Sequence, residues 1–110
     1  VNVVIVDEAV GRGFNFQFRG RDYPTNVLSF SYELLAHERS GLLGEIVFCA
    51  PVVAREAVDQ GKSLRDHYAH LTVHGVLHLL GHDHQNAADA QRMEALERRI
   101  LGGLGIGDPY

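Results

Sequence analysis

The sequence predicts one small α+β domain over residues 1–110, with a mixed β-sheet of three to four strands packed against helices. Three observations predict it. A length of 110 residues is that of a single domain. Short β-branched runs come early, and helical patterns fill the second half. Composition is ordinary for a globular chain, 45% hydrophobic and 22% charged, which excludes disordered, collagen-like and coiled-coil classes.

The elements follow in order. Residues 2–6 (NVVIV) are β-branched and read as a strand that ends at Asp7-Glu8. Residues 9–25 carry Gly11, Gly13, Gly20 and Pro24 and read as mostly loop, with one helical turn around Phe14 to Phe18. Residues 26–30 (NVLSF) read as a second strand after Pro24, which biases Tyr23 toward extended geometry. Residues 31–43 fit no single pattern and end near Gly41. Residues 44–49 (GEIVFC) read as a third strand. Val47 and Cys49 lie on one face, Ile46 and Phe48 on the other, so both faces are expected to be covered.

Pro51 suits the first turn of a helix. Val52, Val53, Ala57 and Val58 form its apolar stripe, and Gly61 stops it. Ser63-Leu64-Arg65-Asp66 resembles a capping box, with Asp in place of Glu or Gln. The helix it starts runs to about Leu80, with Gly81 where a left-handed cap residue belongs. A last helix spans about 87–101, with Met93, Leu96 and Ile100 as core positions. The closing GGLGIGDPY is glycine-rich and reads as loose.

Charge and cysteine usage narrow the setting. The net charge is -4, which argues against generic DNA binding over a basic surface. Arg12, Arg19 and Arg21 nevertheless fall within ten residues, with Asp22 to offset them. A lone Cys49 excludes a disulfide framework. No apolar run approaches the ~20 residues of a membrane helix, and VNVVIVDEAV has no basic n-region of a signal peptide. These features predict a cytoplasmic protein without a membrane partner. The chain opens on Val1 rather than Met, which suggests that something upstream was removed.

Histidine is the unusual count. Six of seven lie between His67 and His84, and histidine is the commonest metal ligand. In His74-Gly75-Val76-Leu77-His78-Leu79-Leu80-Gly81-His82-Asp83-His84, His74 and His78 share a helix face. Gly81 then turns the chain so that His84 returns to them. Three imidazoles with an open fourth position describe a catalytic zinc site, one Zn2+ per chain. His82 is a candidate fourth ligand, but a tight turn points it away from the face His84 uses, which favours His84. Asp83 orients a ligand or caps the turn. His67 and His70, one and two turns earlier, are expected to pack.

The spacing His-x3-His-x5-His also occurs in metzincin peptidases, which carry Glu directly after the first His as general base. Here that position is Gly75. A peptidase needs a carboxylate there to take the proton of water and pass it to the amine, and Glu45 is the one other candidate the sequence offers. Phosphodiester hydrolysis fits better. It needs a phosphate clamp, and the planar fork of Arg suits phosphate oxygens. Arg19 and Arg21, just before Pro24 and the second strand, are the candidates.

HGVLHLLGHDH resembles the signature of the YbeY family of bacterial rRNA maturation factors. FRGRDYPTNVLSF (Phe18 to Phe30) resembles the family's other signature block, LLGEIVFC (Leu42 to Cys49) the strand before its helices, and GDPY its close. Asn26, Ser31, Glu45 and His82 depart from residues common in the family. The resemblance implies a zinc-dependent endoribonuclease specific for single-stranded RNA. Such an enzyme acts in 16S rRNA 3′-end processing and ribosome quality control, in contact with the small ribosomal subunit or its proteins. His74, His78 and His84 match the family's metal ligands, Arg19 its functional arginine, and Arg21 the basic residue two further on. The family usually has another strand and helix before the segment that Val1 opens, whose loss is expected to leave apolar faces exposed. Two other readings stand beside this one: a metallopeptidase-like hydrolase, and a non-catalytic zinc-containing ribosome-assembly factor.

Overall fold

A computed structural model describes residues 1–31, 44–82 and 86–110. All of the ambiguous region 31–43 except Ser31, and the segment 83–85, lie outside the described residues. Among the described residues, three strands and four helices form a small α+β domain: β1 (Asn2–Val6), α1 (Glu8–Arg19), β2 (Val27–Ser31), β3 (Gly44–Cys49), α2 (Ala50–Asp59), α3 (Leu64–Leu79) and α4 (Ala87–Gly103). The sheet order is β1-β3-β2. β1 runs parallel to β3, with Val4 opposite Val47, and β2 runs antiparallel to it, with Leu28 opposite Val47.

β3 is the central strand, and both its faces are covered, as its unbroken apolar run predicts. Ile46 and Phe48 face α3. With Val53 of α2 and Leu71 and Leu79 of α3 they form the core. The Phe48 ring meets Tyr68 edge-on, with centroids 5.2 Å apart. Gly75 lets α3 lie close on this face, since a Cβ there would stand 3.1 Å from both Ile46 Cδ1 and Ser29 Oγ. Cys49 faces the other way, toward α1, where a Cβ on Gly11 would stand 3.1 Å from its Sγ. Burial pushes the Cys49 thiol up from its ordinary range, so it is a packing residue. β1 is the less covered edge: Val3 and Ile5 are 54% and 62% exposed.

α1 is the largest departure from the sequence reading. Residues 9–25 read as loop, yet Glu8–Arg19 is a regular helix. Asp7 caps it by accepting from Val10 N–H at 2.9 Å. Gly20 ends it in the left-handed conformation at φ 67°. Its glycines carry the loop signal, but close packing on the sheet requires Gly11, and packing outweighs propensity. Phe14 and Phe18 pack with Phe30 of β2 on this face.

The helix ends around the histidines follow the sequence signals. Ser63 Oγ accepts from Asp66 N–H at 3.1 Å. At the other end Gly81 N–H donates to the His78 carbonyl and His82 N–H to the Leu77 carbonyl, both at 3.0 Å. With Gly81 at φ 98° this is a Schellman motif. In α2 the stripe is narrower than expected: Val53 and Ala57 are buried, whereas Val58 is exposed. In α4 the buried positions are Met93, Glu97 and Leu101, while Leu96 is half-buried and Ile100 exposed. The closing segment is fastened, not loose. Ile106 N–H donates to the Leu101 carbonyl, Arg98 Nε to the Asp108 carboxylate, and Lys62 Nζ to the Pro109 carbonyl. No described helix is long and apolar enough to cross a membrane.

Candidate metal centre

Four histidine rings run along α3. Ring centroids are 6.3 Å apart from His67 to His70, 6.2 Å from His70 to His74, and 4.6 Å from His74 to His78. The spacing of three and four residues along one helix puts them on neighbouring turns. Each of the first three is held by a carboxylate. His67 Nε2 lies 3.0 Å from Glu56 Oε1, which also accepts from Asn26 Nδ2 at 2.9 Å. His70 Nε2 lies 3.0 Å from Glu97 Oε2, and His74 Nδ1 lies 2.6 Å from Glu97 Oε1.

Glu97 is the residue the sequence reading missed. It comes from α4, has no exposed surface, and sits between Met93 and Leu101 on the buried stripe. A carboxylate there is stable only when fully hydrogen-bonded. Besides the two imidazoles it accepts from the Tyr110 hydroxyl. Burial alone would push the Glu97 carboxyl up. The hydrogen bonds from His70, His74 and Tyr110 outweigh that and hold it well below the carboxylate range. Tyr110 shifts the opposite way, raised by burial and then by the Glu97 carboxylate that it donates to. A signal was present in the sequence: an acidic residue four positions from each of two core residues on a helix has to be paired inside the protein.

His70, His74 and Glu97 offer ligand atoms within 4.8 Å of one another, near enough together to hold a metal ion. Their contacts, however, have hydrogen-bond lengths and use the Nδ1 side of His74. The other side of His74 has a different geometry. His74 Nε2 stands 3.1 Å from His78 Nε2. Two nitrogen ligands of one tetrahedral zinc ion, at bonds of about 2.0–2.1 Å, stand roughly 3.3 Å apart. His84 and Asp83 lie outside the described residues. His82 is exposed just past the Schellman turn.

α1, which carries Arg12 and Arg19, lies on the other face of the sheet. Arg19 is the exposed last residue of α1. Neighbouring Phe18 packs on Phe30, at centroids 4.8 Å apart. Leu79, next to His78, packs at the same end of the sheet: a Cβ on Gly44 would strike the Phe30 carbonyl oxygen and come 2.8 Å from Leu79 Cδ2. Arg19 and His78 thus reach one end of the sheet from opposite faces. Arg21 Nη1 donates to the Tyr23 hydroxyl at 3.0 Å, and Arg12 forms a two-pronged ion pair with Asp22. Glu45 alternates with Ile46 on β3, so it belongs to the α1 face, away from the histidines. Gly75 faces the sheet, so a side chain there would meet Ile46 and Ser29 and could not reach the His74–His78 edge.

Fold and site together define a small α+β domain that carries a histidine–carboxylate cluster between a helix on the sheet and an outer helix. The family model described as Endoribonuclease YbeY matches residues 1–105. The chain belongs to that family. It is 62% identical to the Endoribonuclease YbeY of Alkalilimnicola ehrlichii, over 98% of this chain and 66% of that protein. It is 59% identical to that of Halorhodospira halophila, over 100% of this chain and 73% of that protein. Among solved structures it resembles the solution structure of TM1509 from Thermotoga maritima. The TM-score there is 0.57 at 28% identity, with 94% of this chain and 69% of that one covered.

Proposed function

We propose that this chain is a zinc-dependent endoribonuclease that cuts single-stranded RNA in rRNA maturation. One observation carries the metal part: the facing Nε2 atoms of His74 and His78, with His74 held through Nδ1 by a buried carboxylate. Carboxylate-bound histidines of this kind are typical metal ligands. His74, His78 and His84 would hold one zinc ion. The chemistry such an ion supplies when bound is a lowered pKa for water, toward about 7, and polarisation of a phosphoryl oxygen.

The residues of the chain do the rest. Arg19 binds the phosphate and stabilises charge in the transition state, and Arg21 assists from beside Tyr23. Their approach from the opposite face suits an extended RNA strand that crosses the end of the sheet. The family name carries the RNA substrate. Cleavage at the 16S rRNA 3′ end, ribosome quality control, contact with the small subunit or its proteins, and a cytoplasmic location belong to the same reading.

The peptidase alternative is weaker. It needs a carboxylate at the Nε2 edge. Among the described residues Gly75 supplies none, Glu45 belongs to the other face, and Glu97 is committed to Nδ1. A non-catalytic assembly factor stays as an outcome of the test. The experiment is cleavage of single-stranded RNA by zinc-loaded protein beside His78→Ala and Arg19→Ala. Cutting by the wild type, none by His78→Ala, and slow cutting by zinc-retaining Arg19→Ala support the nuclease. Equal cutting by all three overturns it. Zinc binding without cutting in any of them favours the assembly factor.

A further inference from the structure

Glu97 and Tyr110 belong to no motif around the histidines, yet Glu97 meets His74 and Tyr110 meets Glu97 and His70. An ionised carboxylate only accepts hydrogen bonds. With Oε1 at 2.6 Å from His74 Nδ1, that nitrogen must carry the proton, which leaves Nε2 bare toward His78. Oε2 takes the other two donors, His70 Nε2 at 3.0 Å and the Tyr110 hydroxyl. His70 Nε2 is also 3.3 Å from the Tyr110 oxygen. His70 Nδ1 is buried without a partner, the state of an imidazole whose proton sits on Nε2. Tyr110 is itself fixed from outside. Arg98 lies over its ring at 5.2 Å and holds Asp108, which accepts from Tyr110 N–H at 2.9 Å.

We propose that Glu97 is a positioning residue: clamped by His70 and Tyr110, it holds His74 with Nδ1 protonated and turns its Nε2 to the site shared with His78. This role rests on the metal reading above. It competes with a cage in which His70, His74 and Glu97 themselves bind the ion. Such a cage would displace the hydrogen bonds that stabilise a fully buried carboxylate.

The test uses purified protein, zinc and a chromophoric chelator in competition. Imidazole 1H–15N spectra of the metal-free protein supply a second readout. Glu97→Gln is expected to weaken zinc binding about 10–100-fold and to let the other tautomer of His74 appear. Tyr110→Phe, which keeps the ring and so the fold, is expected to weaken binding less, in the same direction. His78→Ala is expected to abolish it. If His78→Ala loses zinc while Glu97→Gln and Tyr110→Phe bind as the wild type does, the positioning role is wrong and the metal site stands. A wild-type tautomer of His74 in Glu97→Gln also overturns the role. If His78→Ala keeps zinc, the metal reading itself fails and the positioning role with it. Loss in His70→Ala and Glu97→Gln alone would then identify the cage.

Discussion

The two halves of α3 each set a histidine against a carboxylate, and they differ in which nitrogen is used. His67 gives Nε2 to Glu56, and its Nδ1 is buried without a partner. His74 gives Nδ1 to Glu97, and its Nε2 faces His78. The carboxylates differ too. The Glu56 side chain is 33% exposed, whereas Glu97 is wholly buried and accepts from three side chains. The first pair ties α2 to α3 and spends the imidazole's outward nitrogen on structure. The second turns that nitrogen toward His78. The same residue types on one helix thus serve packing or a site, according to ring orientation.

The sharpest way to break this comparison is to delete each carboxylate. Glu97→Ala removes a wholly buried acceptor that three side chains share and is expected to destabilise the metal-free protein by about 3–5 kcal/mol. Glu56→Ala is expected to cost about 1–2 kcal/mol, because its partners are fewer and water reaches the site. Urea unfolding measures both, and equal losses would erase the contrast.

A pH series gives the next largest effect. The folded-state pKa of Glu97 lies below its ordinary 4.5. The stability it contributes is therefore fully present above about pH 4.5 and is lost as pH falls below that, toward the folded value. Metal-free Glu97→Gln is expected to lose less stability than the wild type between pH 6 and pH 3. Parallel curves would mean that the buried carboxylate is not held by its donors. The smallest effect is expected from Asn26→Ala, which removes one donor from Glu56. It is expected to cost about 0.5–1.5 kcal/mol and to leave zinc affinity unchanged, in contrast to Tyr110→Phe on Glu97.

The parts of this arrangement differ in how legible they are in the sequence. The ends of α3 are local: Ser63 and Gly81 cap it where their residue types predict. The two-faced β3 strand is legible because its apolar run is continuous. α1 is obscured by its glycines, of which Gly11 is required by contact with Cys49, a residue distant in sequence. Glu97 is obscured because Leu96 and Ile100 offer an equally periodic stripe beside Met93. The choice between the two stripes is made by α3, not by α4. The closing segment looks loose because its anchors, Arg98, Lys62 and Glu97, follow no local pattern. The histidine pair is legible from i, i+4 spacing, but which nitrogen faces the site depends on Glu97.

The most direct test of the account is zinc stoichiometry in His67→Ala and His78→Ala, measured after dialysis against zinc and gel filtration. One zinc per chain is expected in the wild type and in His67→Ala, and none in His78→Ala. Zinc retained by His78→Ala, or lost equally from both variants, would contradict it.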